Sequence, residues 1–351
     1  MRTSTRRMTC DESPSPAKRL GIAFCGQPYS LQKVLEGARV AEALGFESVW
    51  ITEDYWTGRD AISVAACVAQ ATREIRIGTA VVTPYTRHPV LPSMTLNALR
   101  QATPNRLILG IGAGKPWEPF LGNQMTEWPP LAAMRETIGL IRELMREGRG
   151  SWRGQVVDLA CSQAMLREAL APPLDDLPIY IGAYGPRMTK LAGEIADGLL
   201  IGTGVRREEI PGRIAHLASG VKEVQRDMSS VDVAALVVAA VGDDGVANEN
   251  TRSYVVSRVD RLTEAEALAA GFDPKRVAGI RRESRMGHSD SACKLLSREM
   301  VEAYSIQGTP SQCVSALESL VDAGVRLPIL LPFGGDIHEL AKAGSEYIRS
   351  A

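Results

Sequence analysis

Clustered cysteines, abundant histidine, an excess of charge of either sign and long apolar runs are all missing from this chain, and each lack removes a class of function. Six cysteines (10, 25, 67, 161, 293, 313) occur singly, with no CxxC and no metal-ligand spacing. Cys25 and Cys67 lie inside apolar segments, so the set reads as reduced core thiols of a cytoplasmic protein. The four histidines (88, 216, 288, 338) are equally scattered, and no metal site is expected. Lys plus Arg number 40 against 41 Asp plus Glu, a formal net charge of -1, which offers no electrostatic hold on nucleic acid or on a membrane surface. No apolar stretch approaches the roughly 20 residues of a membrane span. Residues 1–18 are polar and carry Arg, Ser and Pro without an apolar h-region. A flexible leader is expected there, not a secretory signal, and Met8 offers a second start.

What is present is 351 residues, 45% of them hydrophobic, enough for one large core. Short apolar strands at 21–25, 48–51, 75–82, 106–112, 178–181, 198–201, 231–241 and 328–331 alternate with helical patterns at about 30–44, 60–71, 89–101, 131–147, 206–226, 310–323 and 336–349. Eight strand-helix units without an internal boundary predict a single α/β domain over 19–351, a (β/α)8 TIM barrel with active-site residues at the carboxyl ends of its strands. A hairpin is expected around Trp152–Val157. Residues 245–305 exceed one helix, are charged and lack a strand pattern, so they are expected to form a helical insertion before the last strand, as a lid or an interface.

Pro178-Ile-Tyr-Ile-Gly-Ala-Tyr-Gly-Pro186 is the segment with the most chemical content. A buried parallel strand runs into Gly182 and Gly185, which are expected to let the backbone turn sharply. Pro186 takes the first helical position, where its missing N–H costs nothing. The helix then starts with bare amides, an anion site that Arg187 could reinforce. The plainer reading is a tight strand-to-helix connection.

Four strand-end motifs occur together: Trp50-Ile-Thr-Glu-Asp-Tyr55, Gly78-Thr-Ala-Val-Val-Thr-Pro-Tyr-Thr-Arg-His-Pro89, Leu109-Gly-Ile-Gly-Ala-Gly114, and the 179–186 segment with its Leu191–Gly198 tail. In order and spacing they resemble the bacterial luciferase-like superfamily and, within it, the methylenetetrahydromethanopterin reductase-like branch that uses the deazaflavin coenzyme F420. Ser305-Ile-Gln-Gly-Thr-Pro310 resembles that branch's entry to the last barrel unit. The resemblance covers about residues 20–350. It implies a cis peptide at Ala80-Val81 backing the cofactor ring, with Thr83, Ala113 and Gly114 along ring and tail. Tyr184, Gly185, Arg187 and Met188 fall at the phosphate end, where Gly182 opens the backbone on the residue reading above. It also implies a homodimer, joined through helices of the first half of the barrel and through the insertion.

The chain departs from the branch on the substrate side. Glu53 and Asp54 stand where an acid-histidine pair is usual, Ala23 replaces a first-strand Glu, and Lys115 follows the fourth-strand glycines where an acid is common. Asp54 or Glu53, in a dry pocket beside the ring, could then supply the proton; a helix cap or solvated turn is the plainer role for either. The implied activity is hydride transfer between F420 and a small conjugated organic substrate. The alternatives are an FMN-dependent monooxygenase and a flavin-binding protein without catalysis.

Overall fold

The structure is a computed structural model, and it describes residues 18–25, 29–53, 59–114, 129–148, 150–160, 177–242 and 249–350. Strands β1 (Gly21–Phe24), β2 (Ser48–Ile51), β3 (Arg76–Thr79) and β4 (Leu107–Gly112) are followed by the hairpin β5 (Ser151–Arg153) and β6 (Asp158–Ala160). Then come β7 (Ile179–Ala183), β8 (Gly198–Ile201), β9 (Asp232–Val241), β10 (Ser305–Gly308) and β11 (Leu327–Pro332). The parallel ladder runs β1-β2-β3-β4-β7-β8-β9-β11, and β11 pairs back to β1. That closes the expected eight-stranded barrel.

Helices α1 (Leu31–Ala43), α2 (Ala61–Ala71), α3 (Val90–Ala102), α4 (Pro130–Glu147), α5 (Pro186–Ile195), α6 (Ile210–Glu223) and α12 (Pro310–Asp322) lie between successive barrel strands, and α13 (Ile337–Arg349) follows the last. Between β9 and β10 the described residues form five further helices: α7 (Glu249–Val259), α8 (Glu264–Ala269), α9 (Pro274–Arg285), α10 (Ser289–Lys294) and α11 (Arg298–Tyr304). Two findings differ from the sequence expectation. The strand expected over 75–82 stops at Thr79 and returns only as a bridge from Val82 to Ile111. In addition, Ser305–Gly308 is a ninth strand, which pairs with Val238–Val241 on the edge of β9 that β8 leaves beyond Ala235. Four residues are too few for a period to register.

Two apolar layers follow from the period-two alternation of buried strands. One set of side chains packs outward on the helices, Ile22, Val49, Ile77 and Leu109 among them. The other fills the barrel, with Ala23, Trp50, Ile108, Tyr180, Leu200 and Ile329. The interior is crowded by Trp50 and Tyr180, whose rings meet edge-on at 5.4 Å. A Cβ on Gly78 would come within 2.4 Å of Trp50, and one on Gly198 within 2.4 Å of Tyr180. Large rings therefore sit opposite glycines, and the barrel is plugged below its carboxyl end.

Candidate functional site

The end of β3 is built by its hydrogen bonds. Ala80 N donates to Ile51 O at 2.7 Å, so the ladder to β2 continues, while Val82 N reaches Gly110 O at 3.0 Å and restores the ladder to β4. Between them the Ala80-Val81 peptide is cis, at the position the resemblance implied. Thr79 Oγ1 donates to Gly110 O and accepts from Gly110 N, at 2.8 and 2.9 Å. A Cβ on Gly110 would lie 1.8 Å from Thr79 O, and one on Gly112 would lie 2.7 Å from Val81 Cγ2. Glycine in β4 is what allows this bulge to press against it.

On the β7 side, the sequence expectation needs one correction. Gly182 and Gly185 are not among the positive-φ glycines, and Gly185 has φ -91° and ψ 154°. The turn therefore does not rest on left-handed glycine. Gly182 is a packing position, where a Cβ would sit 3.0 Å from Val81 Cγ1; at Gly185 no atom of the described residues lies within 4 Å of a Cβ. Among the described residues no side chain caps α5, Pro186 is its first residue, and the first intrahelical donor is Thr189 N to Gly185 O at 3.0 Å. The amides of Arg187 and Met188 thus lead an uncapped terminus. Arg187 itself is exposed and makes no hydrogen bond or ion pair among the described residues. The cation that does reach this loop is Arg213 of α6, which donates to Tyr184 O and lies 3.4 Å from Glu209.

Glu53 lies just past β2 with 5% of its side chain exposed. Its carboxylate accepts from Ala61 N, the first amide of α2, at 2.9 Å, and from Arg87 at 3.3 Å. Arg87 also pairs with Asp60, the N-cap of α2. Asp54 and Lys115 lie outside the described residues.

These parts line one cavity of about 520 Å³ at the carboxyl ends of the strands. Glu53 lies in its wall. Ala80, Val81 and Thr83 come from the β3 side, and Ala113 and Gly114 from the end of β4. Gly182, Tyr184, Gly185 and Met188 enter from the β7-α5 connection. Of the expected cofactor residues only Arg187 stands apart. Leu200, Leu236 and Leu331 supply apolar wall, and Arg258 of α7 adds a cation. A wall of glycine and alanine backbone suits a flat ring, and the bare amides at one end suit an anionic tail. Sequence reasoning missed Arg213 and Arg258, since neither lies in a motif and only tertiary packing brings them to the loop and the mouth. A larger cavity, about 640 Å³, lies under the insertion beside Arg206, Phe272 and Tyr304, and it gathers none of the expected cofactor or catalytic residues. Among the described residues no group of three His, Cys, Asp or Glu is placed to hold a metal ion.

The sequence profile of the luciferase-like monooxygenase family matches residues 16–327. The 5,10-methylenetetrahydromethanopterin reductase of Methanolobus tindarius is 30% identical over 307 residues, covering 87% of this chain and 91% of the relative. The F420-dependent glucose-6-phosphate dehydrogenase of Tsukamurella paurometabola is 24% identical, over 88% of this chain and 90% of the relative. Among solved structures, the coenzyme F420 dependent tetrahydromethanopterin reductase from Methanopyrus kandleri superposes with a TM-score of 0.84 at 25% identity, covering 95% of this chain and 99% of that one.

Proposed function

The chain belongs to the luciferase-like monooxygenase family, and from that membership we propose that it is a coenzyme F420-dependent oxidoreductase acting on a small conjugated organic molecule. The observation that carries the reading is the single cavity in which the β3 bulge, the β4 glycines and the uncapped α5 terminus converge. Similarity to F420-dependent relatives over most of their length supports the choice of cofactor. When bound, the deazaflavin supplies a hydride donor or acceptor.

The chain's own residues would do the rest. Ala80, Val81, Thr83, Ala113 and Gly114, which line the cavity, would hold the ring. The amides of Arg187 and Met188 would hold the phosphate, with Gly182, Tyr184 and Gly185 leading up to them. Leu200, Leu236 and Leu331 exclude water from the reacting face. We assign the proton to Asp54. Glu53 is a positioning residue, because both its oxygens already accept hydrogen bonds from Ala61 and Arg87.

Residues 19–351 act as one barrel with the α7–α11 insertion. The four cysteines among the described residues form no disulfide, in keeping with a reducing cytoplasm, and no helix there is long and apolar enough to cross a membrane. Leu91 and Met94, 53% and 48% exposed and one turn apart on α3, support a homodimer through the first-half helices; sedimentation at micromolar protein should give the dimer mass. The cofactor assignment is tested by absorbance titration. F420 should bind saturably, and FMN about tenfold or more weakly. Tight binding of FMN alone would move the reading to an oxygen-dependent monooxygenase.

A further inference from the structure

Arg258 is the one described residue of the inserted helices that lines the central cavity. Its surroundings are unusual for a guanidinium. It forms no ion pair among the described residues, and its Nε is buried without a hydrogen-bond partner. It is fixed by stacking: its guanidinium carbon lies 4.7 Å from the Tyr254 ring centre, and that ring leans on Phe333 at 5.4 Å. The β8-α6 connection makes room for it, since a Cβ on Gly204, where φ is +88°, would meet Arg258 Cδ at 2.8 Å. On the same connection Thr203 O accepts from the Tyr184 hydroxyl at 3.1 Å. On the opposite wall Glu53 already has a cation partner, Arg87, which it shares with Asp60.

A cation held in a mostly apolar cavity without a counter-charge is costly until an anion enters. Its planar fork suits the two oxygens of a carboxylate or phosphate. The cofactor's phosphate already has a place on the bare α5 amides, so a second anion receptor on the insertion is free for the other reactant. We propose that Arg258 binds a carboxylate or phosphate carried by the substrate, so that the insertion selects anionic substrates for the barrel. This rests on the cofactor reading above only in assigning the anion to the substrate.

The test compares the full chain with Arg258→Gln and Arg258→Lys, each checked for an unchanged melting temperature. Inorganic phosphate is titrated by calorimetry into F420-loaded protein and into cofactor-free protein, and F420 binding is followed separately by absorbance. In the loaded protein Arg258→Gln should weaken phosphate about tenfold or more and Arg258→Lys much less, with F420 affinity changed by less than about twofold. Phosphate affinity equal to the parent in Arg258→Gln overturns the proposal. A loss of F420 affinity as large as the loss for phosphate overturns it too, because the guanidinium would then serve the cofactor's tail. Should F420 bind none of the three proteins, it is the cofactor reading that fails, and the cofactor-free phosphate titration still decides for or against Arg258.

Discussion

Gly110 and Gly185 both belong to the site, and substitution should separate what each does. A methyl on Gly110 would run into the Thr79 carbonyl at 1.8 Å, and neither strand can yield without losing the Thr79 Oγ1 pair. Gly110→Ala should therefore cost about 3 kcal/mol or more of stability, read as a fall in denaturation midpoint. Gly185 has ordinary extended angles and empty space around it, so Gly185→Val should fold with an unchanged midpoint. Its branched side chain would instead stand over the bare amides of α5. Loss of one charge-assisted hydrogen bond there predicts F420 binding weaker by about tenfold or more. Parent-like F420 affinity in Gly185→Val would return this segment to a plain strand-to-helix turn. At this scale the motif glycines were legible, but their reasons were not. Sequence suggested conformational freedom at 182 and 185, whereas the structure uses them for close approach and for open space.

The elements themselves were the most legible level, because buried parallel strands are short continuous apolar runs and the helices between them carry a helical period. What sequence did not reveal were the carboxylates that fasten elements together. Glu42 accepts from the amides of Arg73, Glu74 and Ile75, and Glu136 accepts from Gln155, Val156 and Val157, pinning the hairpin to α4. Each reads locally as a surface acid on a helix, since its partners lie 19 to 33 positions away. Glu53 fastens α2 in the same way, accepting from Ala61 N at its first turn, which favours the positioning role proposed above. Glu53→Ala would leave Ala61 N and part of Arg87 unsatisfied, at about 1 to 3 kcal/mol. Glu53→Gln keeps an acceptor for the amide and should lose less. Turnover should follow stability in the two variants, while Asp54→Asn should lose turnover with stability intact. A Glu53→Gln enzyme that melts like the parent yet does not turn over would make Glu53 the proton carrier.

Across the whole molecule, the chemistry gathers at the carboxyl ends of the strands, and an ionic cluster fastens the opposite end. Arg19, just before β1, donates to Glu47 at 2.6 and 2.8 Å and to Asp232, at the start of β9, at 2.8 and 3.0 Å. Arg76 at the start of β3 joins Glu47 at 3.3 Å, and the Tyr180 hydroxyl of β7 donates to Asp232 at 2.8 Å. Strands from both halves of the barrel thus meet in one network. Burial alone would raise the Asp232 carboxyl, but the Arg19 guanidinium, with the Tyr180 hydroxyl and the Val233 amide, outweighs it and holds the group below the usual carboxylate range. A carboxyl depressed in the folded state contributes its stability in full above its unfolded value, near 4, and loses it as pH falls through the folded value. The midpoint should therefore fall as pH drops below about 4. Asp232→Asn removes the charge but keeps the shape. It should cost about 1 to 2 kcal/mol near neutral pH, a figure reduced because Arg19 is 34% exposed and partly screened by solvent. The same variant should also flatten the acid limb of the profile, since its side chain no longer takes up a proton on unfolding. An acid limb as steep in Asp232→Asn as in the parent would place the acid sensitivity in other carboxylates, Glu42 and Glu136 first, whose backbone donors hold them low against burial in the same way.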